Sequence, residues 1–359
     1  MFPTQAGQPG LIDQFLAALR SLPEVQAELE PAAAPEHDAR LALDVFGTHT
    51  HALVEVRKAV YPRDVRELIW RVSDLARQQP AGESGGEVLA ILVAEFISPG
   101  AKELLRAERV GYYDSGGSLY LPGRGAYLYV DRPPPKSLSR SMRSLFTGRR
   151  AQVLHGLLIR HQDWLGVKDL AELTLVSPAT ASQVLSEVER LDWLESRGQG
   201  PGKQRHLREP AALLDAWVKQ LGSIRLPALR RYFVPTMKPD GLIERLGQVC
   251  EARGVEYAVS FEAAAQRYAP FLSTVSQVRC RLPAGSGADA AIADLGARIV
   301  SEGANLAVIE AKSSGDLLFR ERVGRVWLAS PIQVYLDLLR GQGRAKEMAE
   351  HLRRERIGF

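Results

Sequence analysis

The strongest fold signals of this chain lie in one stretch, VKDLAELTLVSPATASQVLSEVERLDWLESRGQGPGKQRHLREP (residues 167–210). Its first residues have the pattern of a short helix over 168–173. Ser177 and Pro178 then supply an N-cap serine and a proline at the first helical position, which predicts a second helix reaching about Leu191. Upstream, RRAQVLHGLLIRH (149–161) places its apolar residues on one stripe of a further helix. The stretch therefore predicts two helices joined by a short turn, with a third helix before them.

Residues 193–197 and 205–208 predict two short strands around the glycine-rich segment GQGPGKQ (198–204). Glycine supplies the backbone angles that such a hairpin tip needs. Three helices followed by this hairpin resemble the winged helix-turn-helix family in its MarR-like variety. The resemblance covers nearly the whole of 167–210. It implies that the helix beginning at Ser177 enters the major groove of DNA and that the hairpin is the wing.

The residues with which such a module would contact DNA follow from this resemblance. Hydroxyls bond phosphates or base edges, glutamine pairs with adenine, and the methyls of Ala179 and Ala181 can lie against thymine. The wing and the basic entry segment would neutralise phosphates. The predicted DNA contacts are Ser177, Thr180, Ser182 and Gln183 on the helix, Arg197, Lys203, Gln204 and Arg205 on the wing, and Arg140, Arg143, Arg149 and Arg150 ahead of the module. Two alternatives remain open: an ordinary solvated helix face, or a winged helix that binds proteins.

The positive charge of the chain is concentrated around this module. The whole chain has 46 Lys plus Arg and 42 Asp plus Glu. Twelve basic and eight acidic residues lie between 133 and 210, and the remainder of the chain has 34 of each sign. Residues 136–150 contribute five basic side chains and no acid. This distribution favours an anionic partner, double-stranded DNA, for the central part of the chain.

The N-terminal segment alternates helical periodicity with short apolar runs, which predicts an α/β domain with a partly parallel sheet over 1–132. It resembles the PD-(D/E)xK restriction-endonuclease fold, with Asp44 in LALDVFG and Glu55 in ALVEVRK. The resemblance implies two carboxylates that hold Mg²⁺ and a lysine two residues beyond the second.

Arg57 occupies the place of that lysine, and the bulky, permanently charged guanidinium is not its equivalent. Alternation along a strand points the neighbouring Lys58 to the opposite face. The signature proline ahead of Asp44 is missing. We therefore expect a non-cleaving domain; the alternative is a metal-dependent DNA nuclease that uses Asp44, Glu55, Arg57 and Lys58.

Residues 226–359 again mix helical and strand-like runs. RYFVPTMKPDGLIERL, YAVSFEAAAQRYAPF and SPIQVYLDLLRGQGRAKEMAEHLRRERIGF together resemble the C-terminal domain of AbiEi-like type IV antitoxins. The resemblance implies an α/β fold similar to nucleotidyltransferases and raises a nucleotidyltransferase-like toxin as a partner. The catalytic Gly-Ser followed by paired aspartates is missing, and we interpret Gly285-Ser286-Gly287 as a loop.

Length and composition limit the remaining possibilities. A chain of 359 residues with 45% hydrophobic and 25% charged residues predicts a multidomain globular protein, divided here as 1–132, 133–225 and 226–359. No apolar run is long enough for a membrane span, and the start lacks the pattern of a signal peptide, so we expect a cytoplasmic protein. Cys250 and Cys280 have no metal-ligand spacing, and no metal or cofactor is predicted. Because winged regulators read two half-sites, we expect a homodimer.

Overall fold

The computed structural model describes residues 8–31, 38–45, 47–78, 88–123, 127–133, 144–235 and 238–359. The mixed α/β architecture expected from the sequence is confirmed. Contacts divide the chain into two units, one comprising Met1–Ser141 with Glu187–Asp192 and the other Met142–Ser186 with Trp193–Phe359. The borders at 132 and 225 stay predictions. Within the described ranges, no helix is both long and apolar enough to cross a membrane.

The first unit contains one seven-stranded sheet. Its elements are α1 (Gln8–Arg20), β1 (Val25–Glu30), β2 (Ala39–Val45), β3 (Thr48–Val60), α2 (Pro62–Gln78), β4 (Leu89–Ile97), α3 (Pro99–Ala107), β5 (Gly111–Asp114), β6 (Leu119–Pro122) and β7 (Tyr127–Val130). The strands lie side by side in chain order. β4 is parallel to both β3 and β5, and the other neighbours are antiparallel. The partly parallel sheet predicted for this segment is therefore present.

The apolar faces of the helices explain how this sheet is covered. Parallel neighbours need a crossover connection, and α2 and α3 supply the two that β4 requires. Phe15 and Leu19 of α1 belong to a core cluster that includes Ile91 and Val93 of β4. Val65 of α2 and Leu105 of α3 belong to a second cluster. The two clusters take alternate residues of β4, since successive side chains of a strand point to opposite faces.

The second part of the chain begins with three helices and a hairpin, and continues into a second seven-stranded sheet. The elements from residue 144 onward are α4 (Gly148–Ile159), α5 (Val167–Leu173), α6 (Pro178–Arg190), β8 (Leu194–Arg197), β9 (Gln204–Leu207), α7 (Pro210–Leu221), β10 (Leu229–Phe233), α8 (Pro239–Ala252), β11 (Ala258–Ser260), α9 (Phe261–Tyr268), β12 (Val278–Pro283), α10 (Ser286–Asp294), β13 (Arg298–Ile299), β14 (Leu306–Ala311), β15 (Glu321–Val323), β16 (Val326–Leu328), α11 (Pro331–Leu338) and α12 (Ala345–Leu352). The sheet order is β13-β10-β14-β12-β11-β16-β15, and β8 and β9 form a sheet of their own.

Two details of this region differ from expectation. The Gly285-Ser286-Gly287 segment was expected to be a loop, but Ser286 and Gly287 lie in the first turn of α10. Gly285, with φ +133°, is the turn residue before this helix. The residue pattern also predicts a helix over 288–300, and in the structure this helix ends at Asp294. In sequence, a short apolar run next to glycine can indicate either a loop or the start of a helix. Here the helix starts at Ser286, soon after β12 ends at Pro283.

Helix α4 is tied to the C-terminal part of the second unit by a buried polar contact. His155 Nε2 lies 2.6 Å from Ser330 Oγ, and both residues are buried. The imidazole packs edge-on against the Phe319 ring, with 5.0 Å between the centroids. Burial, assisted by the positive charge of Arg281, lowers the pKa of His155 to about 3. The imidazole is therefore neutral near pH 7 and holds α4 to the segment that begins α11.

Candidate nucleic-acid interface

Helix α6 packs one face onto the neighbouring helices, as its apolar spacing predicts. Ala181, Val184, Leu185 and Val188 are all fully buried. This differs from the expectation for Ala181, whose methyl was proposed to contact thymine, because the residue lies on the packed face of α6. Ala179 is exposed, so its methyl group is accessible for such a contact with thymine. The spacing of 181, 184, 185 and 188 is the ordinary period of a buried helix stripe.

The first turn of α6 begins with a hydroxyl cap. The backbone N–H of Thr180 donates to Ser177 Oγ at 3.2 Å, and the two hydroxyl oxygens are 2.9 Å apart. Ser177 is exposed and Thr180 is half-buried. Both predicted DNA contacts therefore also stabilise the helix start, because a side-chain oxygen at this place satisfies an otherwise unbonded N–H.

The exposed face of the first half of α6, residues 178–186, is polar and uncharged, whereas the second half carries the half-buried Glu187 and the exposed Arg190. Pro178, Ala179, Gln183 and Ser186 are exposed, and Ser182 is half-buried. No carboxylate occurs from 177 to 186. A side chain such as Gln183, which can donate and accept at once, suits the edge of an adenine base. This face therefore presents hydrogen-bonding groups and methyls without the negative charge that would repel phosphates.

Helix α4 supports α6 through α5, and a glycine makes the close approach possible. A Cβ at Gly156 would lie 2.4 Å from Thr174 Cγ2 and 3.3 Å from Leu170 Cδ1. Thr174 is fully buried, and its Oγ1 donates to the carbonyl of Leu170 at 2.6 Å, so it cannot turn aside without losing this bond.

Replacing Gly156 with alanine is therefore expected to destabilise the second unit by about 1–3 kcal/mol, the usual cost of overpacking. Helix propensity alone would favour the change by about 1 kcal/mol. Urea unfolding followed by tryptophan fluorescence measures the difference. Gly10→Ala, in α1 with no atom within 4 Å of the added methyl, is the matched control and should show no loss. Equal midpoints for the two variants would contradict the packing argument.

The predicted hairpin is present, and it carries a third strand segment that the sequence did not indicate. Leu194 to Arg197 pair with Leu207 to Gln204 in antiparallel register. Leu165, between α4 and α5, pairs with Arg205 through two backbone hydrogen bonds of 2.9 Å. Because only one residue is paired, the sequence has no alternating pattern there that would predict a strand. The tip turns through Gly198 at φ +73° and Gly200 at φ +58°, where side chains are unfavourable.

Arg197, at the end of β8, is held by a side-chain acceptor and an aromatic ring. Its Nε and Nη2 donate to Gln204 Oε1 at 2.9 and 2.7 Å. Its Cζ lies 4.3 Å from the centroid of the Trp164 ring, and that ring packs on His206 with 5.3 Å between centroids. Trp164 and His206 were not among the predicted contacts. Alternation along β9 places Gln204 and His206 on one face, and this signal could have identified His206 but not Trp164, which precedes α5.

Arg205 lies inside the module rather than on its surface. Only 8% of the residue is exposed, and its Nη1 donates to the carbonyl of Lys203 at 3.2 Å. The same alternation explains the difference from expectation: Gln204 and His206 are partly exposed, whereas Arg205 and Leu207 point inward. A direct phosphate contact by Arg205 is not available in this arrangement. Lys203, at the start of β9, is half-buried.

The basic entry segment is only partly described. Arg149 is exposed in the first turn of α4. Arg150 is half-buried, and its Nη1 donates to Ser144 Oγ at 2.7 Å. Arg140 and Arg143 lie outside the described residues. Among the predicted basic contacts, Arg149 and Arg197 are therefore the ones that the structure places at the surface of this module.

The candidate nuclease residues of the first unit do not converge. Asp44 pairs with His49 across β2 and β3, and Glu55 lies six positions further along β3, about 20 Å away at the rise of a strand. Asp44 instead accepts the N–H of Gly47 at 2.8 Å. Asp38 was not a candidate residue from the sequence. It lies beside the part of β3 that contains Glu55, and its carboxylate accepts the N–H of Val56 at 2.7 Å.

Glu55 is surrounded by guanidinium groups. The residue is 7% exposed and pairs with Arg57, the next side chain on its face of the strand, and with Arg71 Nη1 at 3.2 Å. Lys58 is exposed on the other face. Two cations on one carboxylate balance its charge within the protein. Within the described ranges, no group of three or more histidine, cysteine, aspartate or glutamate side chains is placed to hold a metal ion.

Comparisons of the chain with protein-family models, with curated proteins and with solved structures found no match.

Proposed function

We propose that this protein is a sequence-specific double-stranded DNA-binding regulator of transcription. The observation that carries the proposal is the exposed face of residues 178–186 of α6, which is uncharged and rich in hydrogen-bonding groups, together with a hairpin on which Arg197 is held in place. Phosphate contacts from arginines would supply most of the affinity, and Gln183 with Ser182 would set the sequence preference.

The resemblance of residues 226–359 to AbiEi-like antitoxins extends this proposal. On that basis the protein represses its own operon, acts as the antitoxin of a type IV pair, and has a nucleotidyltransferase-like toxin as its partner. A homodimer fits the same role, because two recognition helices would read half-sites about 34–36 Å apart. These points rest on the resemblance and on the general plan of winged regulators.

Binding of the full-length protein to DNA from its own upstream region tests the proposal. We expect Arg197→Gln to weaken binding on all sequences and to reduce the slope of log K against log salt by about one, since one phosphate contact is lost. We expect Gln183→Ala to reduce discrimination at one base pair by about 1–3 kcal/mol and to leave the salt slope unchanged. Fluorescence anisotropy at several salt concentrations measures both, and stoichiometric titration counts the chains per site.

Matched controls are available in the same chain. Arg298→Gln and Gln248→Ala replace exposed residues of the same types outside the module and should not alter DNA binding. The proposal fails if the protein does not bind its upstream DNA, or if the two module variants behave like these controls.

A further inference from the structure

A small polar cleft opens in the C-terminal part of the second unit. Its volume is about 150 Å³, and its lining includes Glu262, Thr274, Ser276, Arg279, Gln342 and Arg344. The cleft lies between α9, the start of β12 and the turn that leads into α12. None of these residues belongs to the candidate DNA interface.

The two arginines of the cleft are held in the same way. Arg279 Cζ lies 4.5 Å from the centroid of the Phe261 ring, and Nε donates to Gln277 Oε1 at 2.9 Å. Arg344 Cζ lies 4.9 Å from the centroid of the Phe271 ring, and Nε donates to Glu347 Oε2 at 3.0 Å. Each guanidinium is therefore oriented by a ring beneath it and a bond at Nε.

This arrangement leaves the outer nitrogens of both guanidinium groups available. Within the described part of the chain, the Nη atoms of Arg279 and Arg344 make no hydrogen bond. Arg279 forms an ion pair with Glu262, whose Oε2 lies 3.7 Å from Nη1, and this separation is too long for a hydrogen bond. A guanidinium fork with free Nη donors matches two oxygens of a carboxylate or a phosphate. The hydroxyls of Thr274 and Ser276 add donors of the kind that such oxygens accept.

We propose that this cleft binds a small molecule that carries an oxyanion group, held between Arg279 and Arg344. The volume suits a phosphate or carboxylate group with a small body rather than a large ligand, since drug-sized pockets begin at about 300 Å³. A carboxylate presents a planar pair of acceptor oxygens and a phosphate presents a tetrahedral set, and both are acceptors for the guanidinium donors.

The cleft is also connected to the winged module through the turn that carries Gln342 and Arg344. Arg340, at the start of that turn, donates through Nη2 to the carbonyls of Leu221, at 2.9 Å, and Ile224. A Cβ at Gly341 would lie 2.6 Å from Ala345 Cβ, so the turn has no room to compress. A ligand that draws Arg344 inward would therefore act on the segment that follows α7. The role of this cleft as an effector site rests on the proposed DNA-binding function.

Calorimetric titration of the full-length protein without DNA tests the site. The probes are inorganic phosphate and malonate at constant ionic strength, which distinguish a phosphate ligand from a carboxylate ligand. We expect saturable binding of at least one probe, weakened tenfold or more by both Arg279→Gln and Arg344→Gln. Arg322→Gln is the control, because Arg322 is exposed and lies 5.9 Å from the ring of Trp327, outside the cleft. Absence of binding by both probes, or equal binding by all variants, overturns the site.

Retention of fold is checked by the thermal midpoint of each variant, and Arg344→Gln, at a mostly exposed side chain, keeps the test informative if Arg279→Gln unfolds. A second titration measures DNA affinity with and without the probe that binds. A change of threefold or more that disappears in Arg344→Gln supports the effector role, and an unchanged affinity overturns that role alone. A protein that binds the probe but no DNA contradicts the proposed function and leaves the site in place.

Discussion

Asp337→Asn is expected to lower the free energy of unfolding of the second unit by about 3–5 kcal/mol, because it leaves the Arg281 guanidinium buried without its counter-charge. Arg281 Nη2 lies 2.7 Å from both carboxylate oxygens of Asp337, and the two residues are 8% and 5% exposed. Within the described residues, Arg281 Nε has no hydrogen-bond partner. The carboxylate also accepts from Ser260 Oγ and from Gln333 Nε2. Urea unfolding followed by tryptophan fluorescence measures the loss.

Two further variants separate a buried charge from a lost contact. The double change Arg281→Met with Asp337→Leu removes both charges and should recover most of the stability, as buried ion pairs often do when replaced by apolar residues. Glu251→Gln breaks the ion pair between Glu251 and Arg322. Because both side chains are about half exposed, the free energy of unfolding should fall by only about 0–1 kcal/mol. A small effect of Asp337→Asn, similar to that of Glu251→Gln, would show that solvent reaches the pair.

The three helices and the hairpin between Gly148 and Leu207 illustrate which features sequence patterns can predict. Helix α6 and the hairpin strands lie where the sequence places them, to within one residue, because proline at a helix start and glycine at a turn have direct backbone consequences. The burial of Arg205 follows from β-alternation, which was available in the sequence. The positive charge of Arg205 favours an exposed position, but the strand geometry of β9 turns the side chain inward. The pairing of Leu165 with Arg205 joins residues forty positions apart, and no local pattern encodes it.

The candidate nuclease residues show the limit of motif spacing. Asp44 and Glu55 lie on neighbouring antiparallel strands, so their separation depends on which residues face each other across the hairpin. The register of β2 and β3 pairs Asp44 with His49, so that Glu55 lies six positions further along β3. A pair of carboxylates eleven residues apart in sequence can meet or lie far apart according to this register, and composition does not distinguish the two cases.

The buried contact between α4 and the segment before α11 likewise joins residues that no local sequence pattern connects. His155 belongs to a helix whose stripe of Val153, Leu154, Leu157 and Leu158 was predicted to be buried, and all four are buried. The helix period also places residue 155 close to that stripe, but nothing local identifies Ser330 as its partner, 175 residues later. The consequence for the proposed regulator is that α4, which supports α6 through α5, is also held by the C-terminal part of the unit.

Lowering the pH from 7 to 4 is expected to remove about 3 kcal/mol of stability from the second unit through His155 alone. Burial, with a smaller contribution from the Arg281 charge, lowers the pKa of His155 to about 3 in the folded protein, whereas the unfolded chain has the ordinary value near 6.5. Between these values the unfolded chain binds a proton that the native state does not. Stability is therefore lost as the pH falls through this window, and the loss is complete near pH 3.

The variant His155→Asn isolates this contribution, because it removes the titrating group and leaves a polar side chain beside Ser330. Its free energy of unfolding should be lower than that of the parent at pH 7, and it should depend less on pH by about 3 kcal/mol between pH 7 and 4. The difference between the two proteins cancels the contribution of carboxylates that titrate in the same range. His161→Asn, at a partly exposed histidine near Phe359, is the matched control for the replacement of a histidine by asparagine. If the parent and His155→Asn lose stability in parallel, the folded protein does not hold the pKa of His155 below its ordinary value, and the prediction is contradicted.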